Sequence, residues 1–399
     1  MDRRASFHGA GGERYYVCPW SGGFAEGYSL NHLHESTKST DMTIYYLCSE
    51  SRHPTGGIRV IYRHVDILNK HGLPAYVVHS EKGFRAGWFE NTTPIVYRRE
   101  GKFQSRFRKV LGRFQDGRGE NGAVEEIPIV GGAKRVIGAE DILVIPEIYG
   151  PDLADVYGRG IKKVVLNQSG YLTFKGYSWN KDRLATPYRH KDVLGTLVNS
   201  EDSEQYLRYV FPEHPIYRFR LSVDPGLFYY EPEKRKQIVF SRIKNERDAM
   251  QVISILKFRG VLRDFDVLPF INIPQREVAT IMRESLIFLS FGYPEGFGLP
   301  AAEAMACGCV VIGFHGGGGR EFFKPEFSFP IEQGDIIGFA QAVERVIYDY
   351  ERDPARIVAM GRQAAQYIAA TYSPQKEEED LLKAWRAILP SGTLKKEHP

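Results

Sequence analysis

From residue 43 onward the sequence alternates short apolar runs with stretches of helical period, and few folds accommodate that alternation. "TIYYLC" (43–48), "AYVVH" (75–79), "PIVY" (94–97), "ILVI" (142–145), "KVVL" (163–166) and "LGTLV" (194–198) read as buried strands. After the first of them comes a turn containing Gly56-Gly57, then Ile58, Ile61, Val65 and Leu68 at helical spacing, then a stop at His71-Gly72. A second unit of the same kind begins after "VDPGLFYYEPEKRK" (223–236), a Pro- and charge-rich linker. Its strands are "QIVFS" (237–241), "DVLPF" (266–270), "LIFLS" (286–290) and "CVVIGF" (309–314), with helices around 246–259, 275–284 and 299–307. Three helical segments close the chain, the last being "SPQKEEEDLLKAWRAIL". The expected fold class is α/β, with two doubly wound Rossmann-like domains facing across a cleft. Sheets of this kind hold ligands at the carboxyl ends of their strands. Two such crevices facing each other suit a ligand with two halves.

Length and composition narrow the function. The 399 residues are enough for two or three domains, and 43% hydrophobic with 26% charged content fits a soluble enzyme or binding protein. Lys and Arg total 53 against 49 Asp and Glu, a formal charge of +4 that argues against nucleic acid as a partner. Cys18, Cys48, Cys307 and Cys309 form no metal-binding or CxxC pattern, as expected in a reducing cytoplasm. Residues 1–42, rich in Gly, Ser and His, read as an amino-terminal extension without the apolar core of a signal peptide. No window approaches the 18 apolar residues of a membrane span, so membrane contact would be peripheral. A candidate surface for it is the segment 103–114, where Phe103, Phe107, Val110, Leu111 and Phe114 share one helix face and Arg106, Arg108, Lys109 and Arg113 the rest. The same pattern suits a helix packed on its own sheet with a solvated basic face.

The stretch "PEGFGLPAAEAMACGCVVIGFHGGGGRE" (294–321) carries the chemistry. Pro300 stands where a helix begins and Gly308 where a left-handed stop is needed, so the helix between them is short and bounded. Gly296 and Gly298 allow the backbone to approach a ligand closely, and the free N–H groups of the helix start favour an anion, phosphate above all. Glu295 and Glu303 flank this site. A carboxylate repels phosphate but accepts hydrogen bonds from sugar hydroxyls, so the pattern suits a molecule with hydroxyls on both sides of a phosphate. A sugar nucleotide is such a molecule. Glycine-rich turns with a neighbouring acid also occur as simple caps. A second constellation supports the functional reading: Arg242 and Arg247 stand at the end of "QIVFS", where two guanidiniums can clamp a diphosphate.

These residues resemble the Glu, seven residues, Glu signature of retaining glycosyltransferases with the GT-B fold, family 4 in particular. The likeness includes Gly-Phe-Gly-Leu-Pro between the acids and Ala-Met-Ala-Cys-Gly after the second. "PTGGIRVIYRHVDILNKHG" looks like the family's Gly-Gly turn and first helix, and "HGGGGREFF" is similar to its Gly-Gly and Glu loop, with Glu321 in the acid's place. The resemblance runs in order over residues 43–388 and is specific around 290–321. It implies an amino-terminal, acceptor-side domain over 43–225, a nucleotide-sugar-binding domain over 226–375, and a last helix within 376–399 that packs back on the first domain. It implies that Glu295 binds donor-sugar hydroxyls beside the reacting carbon, and that Glu303 binds the nucleotide ribose. Gly296, Phe297 and Gly298 would meet the sugar. Gly57, Gly298, Leu299, Arg242 and Arg247 would meet the diphosphate, Arg247 standing where the family has Lys. The family's amino-terminal His has no counterpart in "KVVLNQSGYLTF", where Asn167, Gln168 and Ser169 stand instead.

The expected activity is therefore sugar transfer from a nucleotide-diphosphate sugar, as co-substrate, to a hydroxyl of a glycan, lipid-linked or other acceptor. Retention of anomeric configuration is expected, with neither a metal nor another cofactor. A non-catalytic sugar-nucleotide-binding subunit and a sugar-nucleotide epimerase on the same scaffold are the alternatives. A dinucleotide oxidoreductase is disfavoured, since neither domain opens with G-x-G-x-x-G after its first strand.

Overall fold

The computed structural model describes residues 42–99, 124–151, 158–179 and 185–389. Residues 1–41 of the expected extension and the basic segment 103–114 lie outside them. The first sheet contains β1 (Ile44–Leu47), β2 (Ala75–His79), β3 (Ile95–Arg98), β4 (Ile127–Val130), β5 (Val136–Ile137), β6 (Ile142–Pro146), β7 (Lys162–Asn167), β8 (Val193–Val198) and β9 (Ile216–Arg218). Their spatial order is β5-β4-β3-β2-β1-β6-β7-β8-β9. From β3 to β9 every pairing is parallel, whereas β4 and β5 extend one edge antiparallel. The order reverses between β1 and β6, which opens a crevice beyond their carboxyl ends.

The second sheet is wholly parallel, in the order β11-β10-β12-β13-β14. Its strands are β10 (Arg235–Ser241), β11 (Asp266–Phe270), β12 (Ser285–Ser290), β13 (Val310–Phe314) and β14 (Ser328–Ile331). Here the order reverses between β10 and β12. β10 begins at Arg235, inside the segment that reads from sequence as linker. Four strands, β4, β5, β9 and β14, have no counterpart in the sequence reading. Each is two to four residues long, and β14, at the edge of its sheet, contains proline, which the hydrogen-bond ladder tolerates there.

The helices are α1 (Gly56–Lys70), α2 (Glu201–Val210), α3 (Glu246–Phe258), α4 (Gln275–Glu284), α5 (Leu299–Ala306), α6 (Ile336–Arg352), α7 (Pro354–Thr371) and α8 (Pro374–Ile388). Ile58, Ile61, Val65 and Leu68 of α1 are all buried, as their spacing requires. Each such side chain contributes roughly 1.5–3 kcal/mol by leaving water. Side-chain oxygens of Ser200, Asp335, Asp353 and Ser373 cap α2, α6, α7 and α8. No helix among the described residues is long and apolar enough to cross a membrane.

One apolar cluster runs through both halves, joining Val65 and Leu68 of the first to Phe297, Ala301 and Met305 of the second. α8 lies against α1, β8 and β9. There Trp385 is fully buried and donates to the Tyr46 hydroxyl at 3.2 Å, Arg220 Nε donates to Asp380 at 2.6 Å, and Arg63 pairs with Glu377. The chain thus passes from the first sheet to the second before β10 and returns between α7 and α8. The two passages touch: the Val223 amide donates to the Tyr372 carbonyl at 3.0 Å.

Candidate active site

The second sheet's switch point is lined by the loops after β10 and β12. Asn245 adopts a left-handed conformation (φ 49°), and its amide donates to the carbonyls of Phe291 (2.7 Å) and Tyr293 (3.0 Å). This ties the two loops together and aims Lys244 inward. Lys244 Nζ lies 2.9 Å from Glu295 Oε1 and donates to the Pro294 carbonyl at 2.6 Å. The backbone of Glu295 is fixed to the glycine run: its N–H donates to the Gly316 carbonyl at 2.7 Å, and its carbonyl accepts from Gly318 at 3.1 Å. Ser241, Lys244, Ser290, Glu295, Gly298 and His315 line the resulting pocket. Gly298 caps α5 with φ 98° and Gly308 ends it with φ 85°, conformations open to glycine and costly for other residues. The helix begins at Leu299, one residue before Pro300.

Glu303, on the same helix, sits in a different environment. Its side chain is 9% exposed, and Oε1 accepts from Arg59 Nη2 at 2.8 Å across the seam between the halves. Burial pushes the Glu303 carboxyl above its usual range, and Arg59 pulls it back. Arg59 lies in the first turn of α1, two residues after Gly57.

Glycines form the second domain's side of the seam. A Cβ on Gly296 would lie 1.8 Å from the Gln168 carbonyl, one on Gly317 2.1 Å from the Tyr171 hydroxyl, and one on Gly318 2.0 Å from the Gly296 carbonyl. The sequence pattern suggests that Gly296 clears a path for a ligand; the space beside its Cα is taken instead by the first domain's own backbone. Gln168 Nε2 donates to the Gly57 carbonyl at 3.1 Å, and its carbonyl accepts from Asn199 at 2.9 Å. Behind it, the buried Glu147 at the end of β6 accepts the N–H groups of Gln168 and Ser169; burial pushes its carboxyl up to about 7. Asn167 turns into the core, donating to Thr173 at 2.9 Å and Tyr188 at 2.7 Å. Of Asn167, Gln168 and Ser169, the main chain of the last two meets Gly296 of the second domain.

Other expected residues lie apart from the pocket. The Phe297 ring is buried against Phe322 and Tyr372, with centroids 5.0 and 5.2 Å away, so only its main chain belongs to the turn. Arg242 is held on the surface by Glu246, to which its Nε donates at 2.7 Å, and Arg247 is exposed in the first turn of α3. Between them in sequence, Lys244 is the cation that lines the pocket. Glu321 faces the seam, accepting from the Glu201 amide at 2.7 Å and the Tyr372 hydroxyl at 2.9 Å, with Arg218 at 3.3 Å. Sequence reasoning misses Lys244, Arg59 and Glu147. Only Lys244 carries a signal, its place between two arginines at a strand end.

Residues 246–364 match the family model described as "Glycosyl transferases group 1". The match lies in the second domain, and the two-sheet architecture is the GT-B fold. Among its relatives, an α-1,6-glucosyltransferase of Actinobacillus pleuropneumoniae serotype 7 (strain AP76) is 26% identical over 326 residues, which cover 78% of this chain and 84% of that protein. The structure is similar to sucrose-phosphate synthase from Thermosynechococcus elongatus, with a TM-score of 0.60 at 15% identity, covering 86% of this chain and 98% of that one. It is also similar to the pneumococcal O-GlcNAc transferase in complex with UDP and GlcNAc, with a TM-score of 0.57 at 12% identity, covering 88% and 100%.

Proposed function

We propose that the chain transfers a sugar from a nucleotide-diphosphate sugar to an acceptor hydroxyl with retention of anomeric configuration and without a metal ion. The observation that carries this reading is the pairing of Glu295 with Lys244 at the second sheet's switch point, directly before the amino terminus of α5. The bond from the anomeric carbon to the diphosphate breaks, and the acceptor oxygen bonds to that carbon on the same face. The acceptor's proton passes to an oxygen of the leaving phosphate, so no separate base is required. Lys244 and the free N–H groups at Leu299 stabilise the charge that grows on the diphosphate, and fixed donors of this kind dominate such rate enhancements. Glu295 holds the sugar's hydroxyls and favours positive charge on its ring, and Glu303 accepts from the ribose.

The acceptor, a glycan or lipid-linked hydroxyl compound, would approach the first domain beyond β7. There Phe174 and Trp179 are exposed, flat faces on which a sugar ring can stack. The glucosyltransferase relative makes glucose the first donor sugar to try.

The test is to incubate the full chain with UDP-, GDP-, ADP- and dTDP-glucose, with and without EDTA, and assay nucleoside diphosphate release and the product's anomeric proton. Transfer with retention, insensitive to EDTA and reduced about 10²–10³-fold in Glu295→Gln, supports the reading. Donor binding without turnover for every acceptor class would point to the binding subunit. An inverted product would overturn the retaining mechanism.

A further inference from the structure

Arg59 belongs to the first domain, yet its guanidinium reaches Glu303 of the second at 2.8 Å, with the two side chains 19% and 9% exposed. A pair this deep gains little stability, because desolvating two charges cancels most of their attraction. The neighbours on α5, Ala301, Ala302, Ala304 and Met305, show that the same contact is otherwise built from apolar side chains. The pair leaves Glu303 with spare capacity: Arg59 engages Oε1, and among the described residues Oε2 has no hydrogen-bond partner. A carboxylate accepts several hydrogen bonds, so one oxygen remains for a ligand.

We propose that Arg59 is a positioning residue of the nucleotide site: from the first domain it supplies the counter-charge that holds the buried Glu303 ready to accept the two ribose hydroxyls of a nucleoside diphosphate. This rests on the ribose role proposed above for Glu303. The site is therefore completed only when both halves of the molecule are in place.

The charged surroundings make the role testable. Burial raises the Glu303 carboxyl, Asp224 in the segment before β10 raises it further, and Arg59 on α1 opposes both. Cys307, at the end of α5, also faces Glu303; its thiol is pushed up by burial and stays uncharged. Glu377 on α8 faces Arg59 as well, but is itself paired with Arg63. Without Arg59 nothing offsets burial and Asp224, so the Glu303 carboxyl moves further up and takes a proton more readily. A protonated carboxyl is a poor acceptor, and nucleotide binding must then wait for its ionisation.

The experiment measures the Kd of UDP, GDP and ADP for the full chain by calorimetry from pH 6.5 to 9, each variant expressed as a ratio to wild type so that the nucleotide's own titration cancels. Arg59→Gln is expected to bind more weakly than wild type at pH 6.5 and to recover toward wild type as the pH rises to 9. Arg59→Lys, which keeps the charge, is expected to hold the wild-type ratio at every pH. Glu303→Gln is expected to be weak at every pH, and adding Arg59→Gln to it to cost nothing further. A loss in Arg59→Gln that is constant with pH, or no loss, overturns the proposal. Should Arg59→Gln fail to fold, Arg59→Lys still decides, since a lysine variant as weak as Glu303→Gln overturns the charge role. Glu303→Gln binding like wild type would instead remove the ribose role itself.

Discussion

Glu295 and Glu303 share one loop and one short helix, but they are held by opposite partners. Glu295 is the more exposed, 24% against 9%, and its cation Lys244 comes from its own domain. Glu303 is buried, and its cation Arg59 crosses from the other domain. A carboxylate that must follow charge developing on a substrate needs a prearranged and accessible pocket, which a single domain can build by itself. One that only holds a ribose can be buried, provided that a counter-charge meets it there. On this contrast rests our proposal that the first acid serves rate and the second serves binding.

The largest effect breaks the comparison at Glu295. Glu295→Gln is expected to lower kcat by about 10²–10³, or roughly 3–4 kcal/mol, with nucleoside diphosphate affinity within a few-fold of wild type. Steady-state kinetics beside calorimetric binding check it, and an equal loss in both would merge the two roles. Next comes Glu303→Ala. Wild type with a nucleoside diphosphate at a hundred times its Kd gains about 2.7 kcal/mol of stability. The variant is expected to show almost none of that thermal shift, and a full shift would take Glu303 out of the site.

A smaller effect sharpens the contrast by asking what burial does when backbone N–H groups replace a guanidinium. Glu147 is such a case, its carboxyl raised from 4.5 to about 7 in the fold. Because the folded value lies above the unfolded one, its contribution to stability is fully present below pH 4.5 and is lost as pH rises through about 7. Thermal melts of Glu147→Gln should therefore improve relative to wild type between pH 5 and 8, by on the order of 2 kcal/mol. A constant difference would show that Glu147 does not titrate in that window.

Local chemistry was legible in the sequence. Apolar runs marked most strands of both sheets, and the spacing of Ile58, Ile61, Val65 and Leu68 marked the buried face of α1. Gly298 and Gly308 marked the limits of α5, because left-handed turns select glycine residue by residue. What the sequence concealed depends on direction and distance. Lys244 lines the pocket instead of Arg242 because Asn245 takes a left-handed turn, which no pattern in "SRIKNERDAM" announces. Arg59 and Glu303 are 244 residues apart, and nothing local links them. Phe297 sits between the motif's two acids yet serves the core, since a turn between two sheets must also be packed. β4, β5, β9 and β14 are too short to leave a periodic signal, and their pairing partners define them.

The paired passages between the sheets, joined where Val223 meets Tyr372, have a mechanical consequence. A body joined to another by a single strap can swing and twist about it freely. With two straps side by side, rotation is confined to the line that runs through both, so one half can turn toward the other in one sense while sliding and shearing are opposed. The two passages also make the join redundant. A single protease cut within residues 229–234, ahead of β10, leaves α8 still carrying the second sheet's chain back onto the first, and the nicked molecule should migrate as one particle under native conditions and as two fragments only after denaturation.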